Sequence, residues 1–142
     1  MKEDTDRLII FTDGGAYNNP GPGAVGIVFY NQAGKELLRA SKFIGDTTNN
    51  QAEYQAVLSA LKIAQAKFKP RQIQFFLDSK LIVEQLNGNY KIKNQGLKPL
   101  HFEIKKRQLN FPLVLYDYVP REKNRIADKL VKTEIKKYLS KK

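Results

Sequence analysis

Apolar residues recur along this chain with two different periods, and the places where the period changes divide it into elements. Residues 8 to 11, Leu-Ile-Ile-Phe, form a continuous apolar run that ends at Thr12-Asp13. A run without alternation predicts a central strand buried on both faces. The GGAYNNPGPG that follows is dense in turn formers and reads as a loop. Ala24 to Tyr30 and Lys35 to Phe43 read as strands joined across Asn31-Gln32-Ala33-Gly34, with glycine where a hairpin needs a positive φ. The first third is therefore expected to be an antiparallel three-stranded meander. From Thr48 the spacing becomes helical, through Ala52, Ala56, Val57, Ala60, Leu61, Ile63, Ala64 and Phe68, with Thr48 or Asn49 as cap and Pro70 marking the end. Ile73 to Leu77 reads as a second buried strand ending at Asp78-Ser79, and Lys80 to Leu86 as a short helix stopped by Asn87-Gly88. Leu97 to Leu109 is an amphipathic, Lys-rich helix. Leu113 to Val119 is a fifth strand, and Arg125 to Leu139 a last helix with Ala127, Val131, Ile135 and Tyr138 on one face. The order β-β-β-α-β-α-α-β-α predicts an α/β fold: a five-stranded mixed sheet, its first three strands antiparallel, with helices on both faces.

No repeat, low-complexity tract or linker interrupts this order, so residues 1–142 are expected to form one domain. No apolar run approaches the length that spans a bilayer, and the polar start MKEDTD does not read as a secretory signal. With no cysteine, a disulfide framework, thiolate catalysis and a Cys-ligated zinc are excluded, and a single His101 excludes sites that need two histidines. A cytoplasmic location is the expectation. Twenty-five Lys and Arg against fourteen Asp and Glu give a net charge of +11, which points to a polyanionic partner. Nucleic acid fits better than a membrane surface, because no aromatic-rich amphipathic helix stands out.

Most of the acids lie among polar neighbours. Four do not. Asp13 and Asp78 each end an apolar strand, the usual ligand position in sheets with αβ units. Glu53 sits near the start of the long helix beside Ala52 and Ala56, and Asp128 follows Ala127 at the start of the last helix. Taken singly, Asp13 fits a turn residue, Asp78 a helix cap and Asp128 a first-turn carboxylate favoured by the helix dipole. A carboxylate beside an apolar face is costly unless it is paired or binds a cation. Four hard oxygen ligands without cysteine or paired histidine suit Mg²⁺ or Mn²⁺ rather than zinc.

Four segments carry a resemblance. FTDGGAYNNPGPGAVGIV, TTNNQAEYQAV, LDSKLIVEQL and VPREKNRIADKLV resemble, in order and spacing, the motifs of type 1 ribonucleases H, and together they cover nearly the whole chain. The resemblance implies a ribonuclease H-like fold and metal-dependent endonucleolytic hydrolysis of the RNA strand of RNA–DNA hybrids, giving 5′-phosphate and 3′-hydroxyl ends. It implies Asp13, Glu53, Asp78 and Asp128 as catalytic ligands of two Mg²⁺ (or Mn²⁺) ions flanking the scissile phosphate, with Asp13 bridging both. By the same resemblance Asn19, Asn49 and Asn50 match amide positions that meet 2′-hydroxyls, and Thr48 a hydroxyl that meets a DNA-strand phosphate. Ser79 and Asn124 match positions that support the site and are expected among the substrate-binding residues with Asn19, Thr48, Asn49 and Asn50.

Three features depart from the family pattern. The loop DYVPREKN before Asp128 lacks the histidine of many members and offers Arg121, Glu122, Lys123 and Arg125; Tyr118 stands ten residues before Asp128. The Arg that some members carry two residues before Thr48 is Asp46 here. There is no tryptophan, and only NGNYKIKNQG where some members have a basic protrusion, so the duplex grip falls to Lys91, Lys93, Lys98, Lys105 and Lys106. His101 is expected to be structural. The expectation is a monomeric, free-standing ribonuclease H. Its rivals are a nuclease of the same superfamily that also cuts double-stranded RNA, and a hybrid-binding module without catalysis.

Overall fold

The computed structural model describes residues 4–141. Five strands form one mixed sheet: β1 (Arg7–Ala16), β2 (Gly21–Tyr30), β3 (Glu36–Thr47), β4 (Gln72–Leu77) and β5 (Leu113–Tyr118). Its order is β3-β2-β1-β4-β5, with β1, β2 and β3 antiparallel and β4 and β5 parallel to β1. Four α-helices connect and cover it: α1 (Asn49–Ile63), α2 (Lys80–Leu86), α3 (Lys98–Gln108) and α4 (Arg125–Ser140). Element order and sheet type agree with the hydrophobic pattern.

The main core lies between the sheet and α1, α2 and α3. Tyr54, Phe29, Phe75, Leu8, Ile10 and Ile73 are fully buried there. On the other face α4 packs over β1, β2 and β3, so β2 is covered on both sides and its residues from Gly23 to Phe29 are all buried. Two glycines allow these close approaches. A Cβ on Gly26 would stand 2.4 Å from the Ala127 carbonyl oxygen of α4. A Cβ on Gly14 would stand 2.2 Å from the Ala52 carbonyl carbon and oxygen of α1.

Several elements differ from the sequence reading. β1 does not stop at Phe11 but runs through Asp13-Gly14-Gly15-Ala16, because that stretch pairs with β2 from Asp13↔Gly26 to Ala16↔Gly23. Cross-strand hydrogen bonding thus overrides the turn preference of the glycines, and only Tyr17 to Pro20 form the connection. Ile9 and Phe11 are half-buried rather than buried on both faces, and Phe11 borders a cavity of about 220 Å³ beside the start of α4. The long helix changes to a π-helical turn at Ala64–Phe68 and ends on Lys69 in a left-handed conformation (φ 50°) before Pro70. The expected hairpin glycine is confirmed: Gly34 has φ 87°.

Candidate active site

The site forms where two central strands part. β1 pairs with β4 only as far as Phe11↔Phe76, while its pairing with β2 continues. Beyond that point β1 and β4 leave a cleft of about 440 Å³ lined by Asp13, Glu53, Asp78 and Asp128 together with Asn49, Asn50, Ser79, Arg121, Val131, Lys132 and Ile135. Asp13 therefore lies within a strand, not at its end, and still opens into the crevice. Asp78 follows β4 directly. Glu53 comes from the first turns of α1, whose start is set by a capping box in which Thr48 Oγ1 accepts from the Gln51 amide (3.1 Å) and Gln51 Oε1 accepts from the Thr48 amide (3.1 Å).

Carboxylate oxygens of Asp13, Glu53 and Asp78 lie within 4.8 Å of one another. Asp13 and Glu53 are almost fully buried, at 8% and 6% exposure. Glu53 Oε1 accepts a 2.6 Å hydrogen bond from the Gly14 amide, whereas its Oε2 is buried without a partner among the described residues. Burial, reinforced by the charges of Asp78 and Asp128, pushes the Asp13 carboxyl up to about 7. Burial and the adjacent Asp13 hold Glu53 well above the usual carboxylate range. Asp128 stands outside the tight trio. It contacts Asp13 and forms an ion pair with Lys132, one helical turn on, at 3.0 Å.

The amides divide into two kinds. Asn19 Oδ1 accepts from the Asn49 amide at 2.8 Å, and Asn49 Oδ1 accepts from the Ala16 amide at 2.8 Å, so each presents its NH₂ group as the free donor. Both residues are exposed and Asn50 is half-buried in the cleft wall. Asn124 is different. At 2% exposure its NH₂ donates to the Thr12 carbonyl (2.8 Å) and to Asp78 Oδ2 (3.1 Å), so it braces Asp78 from beneath and is shielded from any ligand in the cleft. Ser79 caps α2, its Oγ accepting from the Ile82 amide at 3.3 Å.

The basic residues also sort differently from expectation. Lys91 and Lys98 line a groove with His101 and Lys105, but Lys105 is half-buried, bound to the Leu86 carbonyl and placed over the Tyr116 ring, so it is a structural lysine. His101 packs beside Tyr54, ring centroids 6.3 Å apart, in that groove rather than in the carboxylate cleft. Arg121 does reach the cleft, from a 3₁₀ turn that the sequence pattern does not announce. Lys132, Val131 and Ile135 were not among the expected site residues. The signal for Lys132 is its spacing of four from Asp128 on a helix.

Carboxylates gathered at the parting of the central strands of a β3-β2-β1-β4-β5 sheet define a ribonuclease H-like α/β protein with an acidic trio spaced to accept a hard cation. A family model described as "Reverse transcriptase-like" matches residues 11–134. Ribonuclease H of Rickettsia bellii is 35% identical over 113 residues, covering 77% of this chain and 68% of the relative. The crystal structure of LC11 ribonuclease H1 in complex with an RNA/DNA hybrid superposes with a TM-score of 0.89 at 40% identity, covering 93% of this chain and 99% of the other. The chain belongs to the ribonuclease H family. The bifunctional protein Rv2228c of Mycobacterium tuberculosis is 36% identical over 125 residues, and there the chain, 87% of which is covered, spans only about a third of the relative's length (34%).

Proposed function

We propose that the protein is an endoribonuclease that hydrolyses the RNA strand of RNA–DNA hybrids, working as a single catalytic domain and as a monomer in the cytoplasm. The observation that carries this reading is the trio of Asp13, Glu53 and Asp78, with oxygens within 4.8 Å of one another in an open cleft. No described helix is long and apolar enough to cross a membrane. The hybrid held by the LC11 relative supports the choice of substrate.

The cleft fits divalent cations on its own chemistry. Hard oxygens converge without nitrogen or sulfur ligands, one Glu53 oxygen is buried and unsatisfied, and Asp13 is a buried carboxyl, raised by that burial and then by the Asp78 and Asp128 charges, which a cation would compensate. Asp13, Glu53, Asp78 and Asp128 would hold two Mg²⁺ or Mn²⁺ ions, with Asp13 shared, and the ions would supply the electrostatic clamp for in-line displacement at phosphorus, leaving 5′-phosphate and 3′-hydroxyl ends. The chain's own residues do the rest. Asn124 fixes the Asp78 carboxylate, and the Gly14 amide fixes Glu53. Asn19, Asn49 and Asn50 stand at or beside the cleft with amide donors, which suit the acceptor oxygen of a 2′-hydroxyl. Thr48, whose oxygen already accepts the Gln51 amide, retains its O–H to donate to a DNA-strand phosphate. The excess positive charge outside the cleft draws the duplex in, while the carboxylates inside collect cations.

The direct test uses a labelled RNA–DNA hybrid beside double-stranded RNA and DNA, with Mg²⁺ and then with EDTA. Cleavage of the hybrid that EDTA stops is the expected result, and equal cleavage of all-DNA duplex overturns the reading. Replacing a stretch of ribonucleotides by 2′-deoxy units is expected to block cutting within it. Asn49→Ala is expected to lower kcat/KM on the hybrid about tenfold, the worth of one or two hydrogen bonds in the transition state. Its Tm should fall by only a few degrees, since Asn49 is exposed.

The cleft-lining residues include no imidazole, and the Asp13 carboxyl, pushed up to about 7 by burial, must ionise before it can hold a cation. The rate is therefore expected to rise with pH from 6 to 8. His101→Ala should leave the profile unchanged; a limb near pH 6.5 that vanishes in the variant would place His101 in the reaction.

A further inference from the structure

Two cations line the carboxylate cleft, Arg121 and Lys132, and they are used differently. Arg121 makes no ion pair among the described residues. Lys132 is paired with Asp128, Nζ to Oδ2 at 3.0 Å, although its side chain is 72% exposed. Asp128 is also the one carboxylate of the four that lies outside the tight trio. The helix around this pair forms one wall of the cleft: Val131 and Ile135 line it on either side of Lys132, and Asn49, Asn50 and Ser79 line it as well.

A long ammonium that is itself mostly in solvent is held weakly by a single half-buried carboxylate, because water screens the pair from the lysine side. It is also mutually exclusive with any divalent cation on the same oxygens. A flexible lysine released at the lip of a nucleic-acid cleft has one strong alternative partner there, a backbone phosphate. We propose that Lys132 is an exchangeable counter-ion: it neutralises Asp128 while the cleft is free of cations, and it moves to a phosphate of the bound duplex when a divalent cation takes that carboxylate. This inference rests on the nuclease reading above and adds a residue to it.

The exchange has a signature that no purely structural role produces, because one substitution acts on two ligands with opposite sign. Lys132→Met keeps most of the length of the side chain and removes the charge, and the exposure of Lys132 means that folding is not at stake. Mn²⁺ binding to the protein alone, measured by titration calorimetry, is expected to tighten about threefold, since Asp128 no longer has a competing cation. KM for the hybrid at saturating Mg²⁺ is expected to rise about threefold with kcat little changed, and the slope of log(kcat/KM) against log[salt] to fall by about 1. Lys132→Arg should restore the wild-type values for both ligands. Mn²⁺ affinity that stays the same or weakens in Lys132→Met, or a KM and salt slope that do not move, overturns the exchange. Failure of the wild type to bind Mn²⁺ and to cut the hybrid is a separate result, which removes the nuclease reading and the exchange with it.

Discussion

Asp13→Asn is expected to abolish hydrolysis and to make the cation-free protein more stable. Both effects come from one carboxylate. Asp13 is the residue that the other three acids surround or touch, so removing its charge takes away the shared ligand of the proposed cation pair and several kcal/mol of transition-state stabilisation, roughly a thousandfold in rate. Hybrid binding should survive, because the basic surface is untouched. The stability effect has the opposite sign. The Asp13 carboxyl is raised from 3.8 to about 7 in the folded state, so its contribution to stability is fully present below about pH 4 and is lost as pH rises toward 7. Asparagine removes that loss, worth on the order of 2 kcal/mol or about 8 °C in Tm at pH 7.5 in EDTA. The gap should narrow toward pH 4, and Mg²⁺ should raise the wild-type Tm far more than that of the variant. Calorimetry in EDTA and in Mg²⁺ at the two pH values checks both arms. Near-native turnover by the variant sinks the four-acid assignment, and an unchanged Tm at pH 7.5 sinks the account of a carboxyl raised by burial and by its acidic neighbours.

Gly14→Ala is expected to be among the most damaging single-methyl substitutions in the chain. The added Cβ would meet the Ala52 carbonyl at 2.2 Å and the Glu53 amide nitrogen at 2.6 Å, and these are backbone atoms in a helix that is packed against the core. Relief requires α1 to move away from β1, at a cost of about 3 kcal/mol or more, or upwards of 10 °C in Tm. The same movement draws Glu53 off the Gly14 amide, so activity should fall further than the folded fraction does. Gly15→Ala is the control. Its Cβ would make ordinary contact with Val131 at 3.6 Å, and stability should change by less than about 1 kcal/mol. Thermal denaturation of the two variants decides the matter, and a tolerated Gly14→Ala would show that α1 is not seated as described.

The fold was legible because its signals are local. Helical and strand periods, the cap at Thr48 and the glycine at 34 each act within a few residues, and the elements that they predict are present; the cap of α2 is Ser79 rather than Asp78. The misread stretch, Asp13 to Ala16, is extended because of β2, a partner that glycine content cannot announce. The site divides in the same way. The unusual settings of Asp13, Glu53 and Asp78 could be read from their apolar neighbours, but their convergence within 4.8 Å depends on where β1 and β4 part. Asn124 shares a motif with exposed polar residues; its match to the family pattern implies a supporting position, and the packing adds its burial and its bonds to Thr12 and Asp78. The Asp128–Lys132 pair is visible as a spacing of four, yet that spacing also describes any solvated helix face until α4 is known to form the cleft wall.

Each of the four carboxylates is carried by a different part of the topology: a strand, the helix after the meander, the end of a second strand and the last helix. No half of the chain contains the site, and Asn124 ties the segment before the last helix to both central strands through Thr12 and Asp78. On the proposed assignment of these four carboxylates, catalytic competence is a property of the completed topology alone. A partially ordered chain, including one still being synthesised, is expected to be inert toward RNA, and the loss of cleavage in denaturant should report the same cooperative transition as the loss of far-ultraviolet ellipticity.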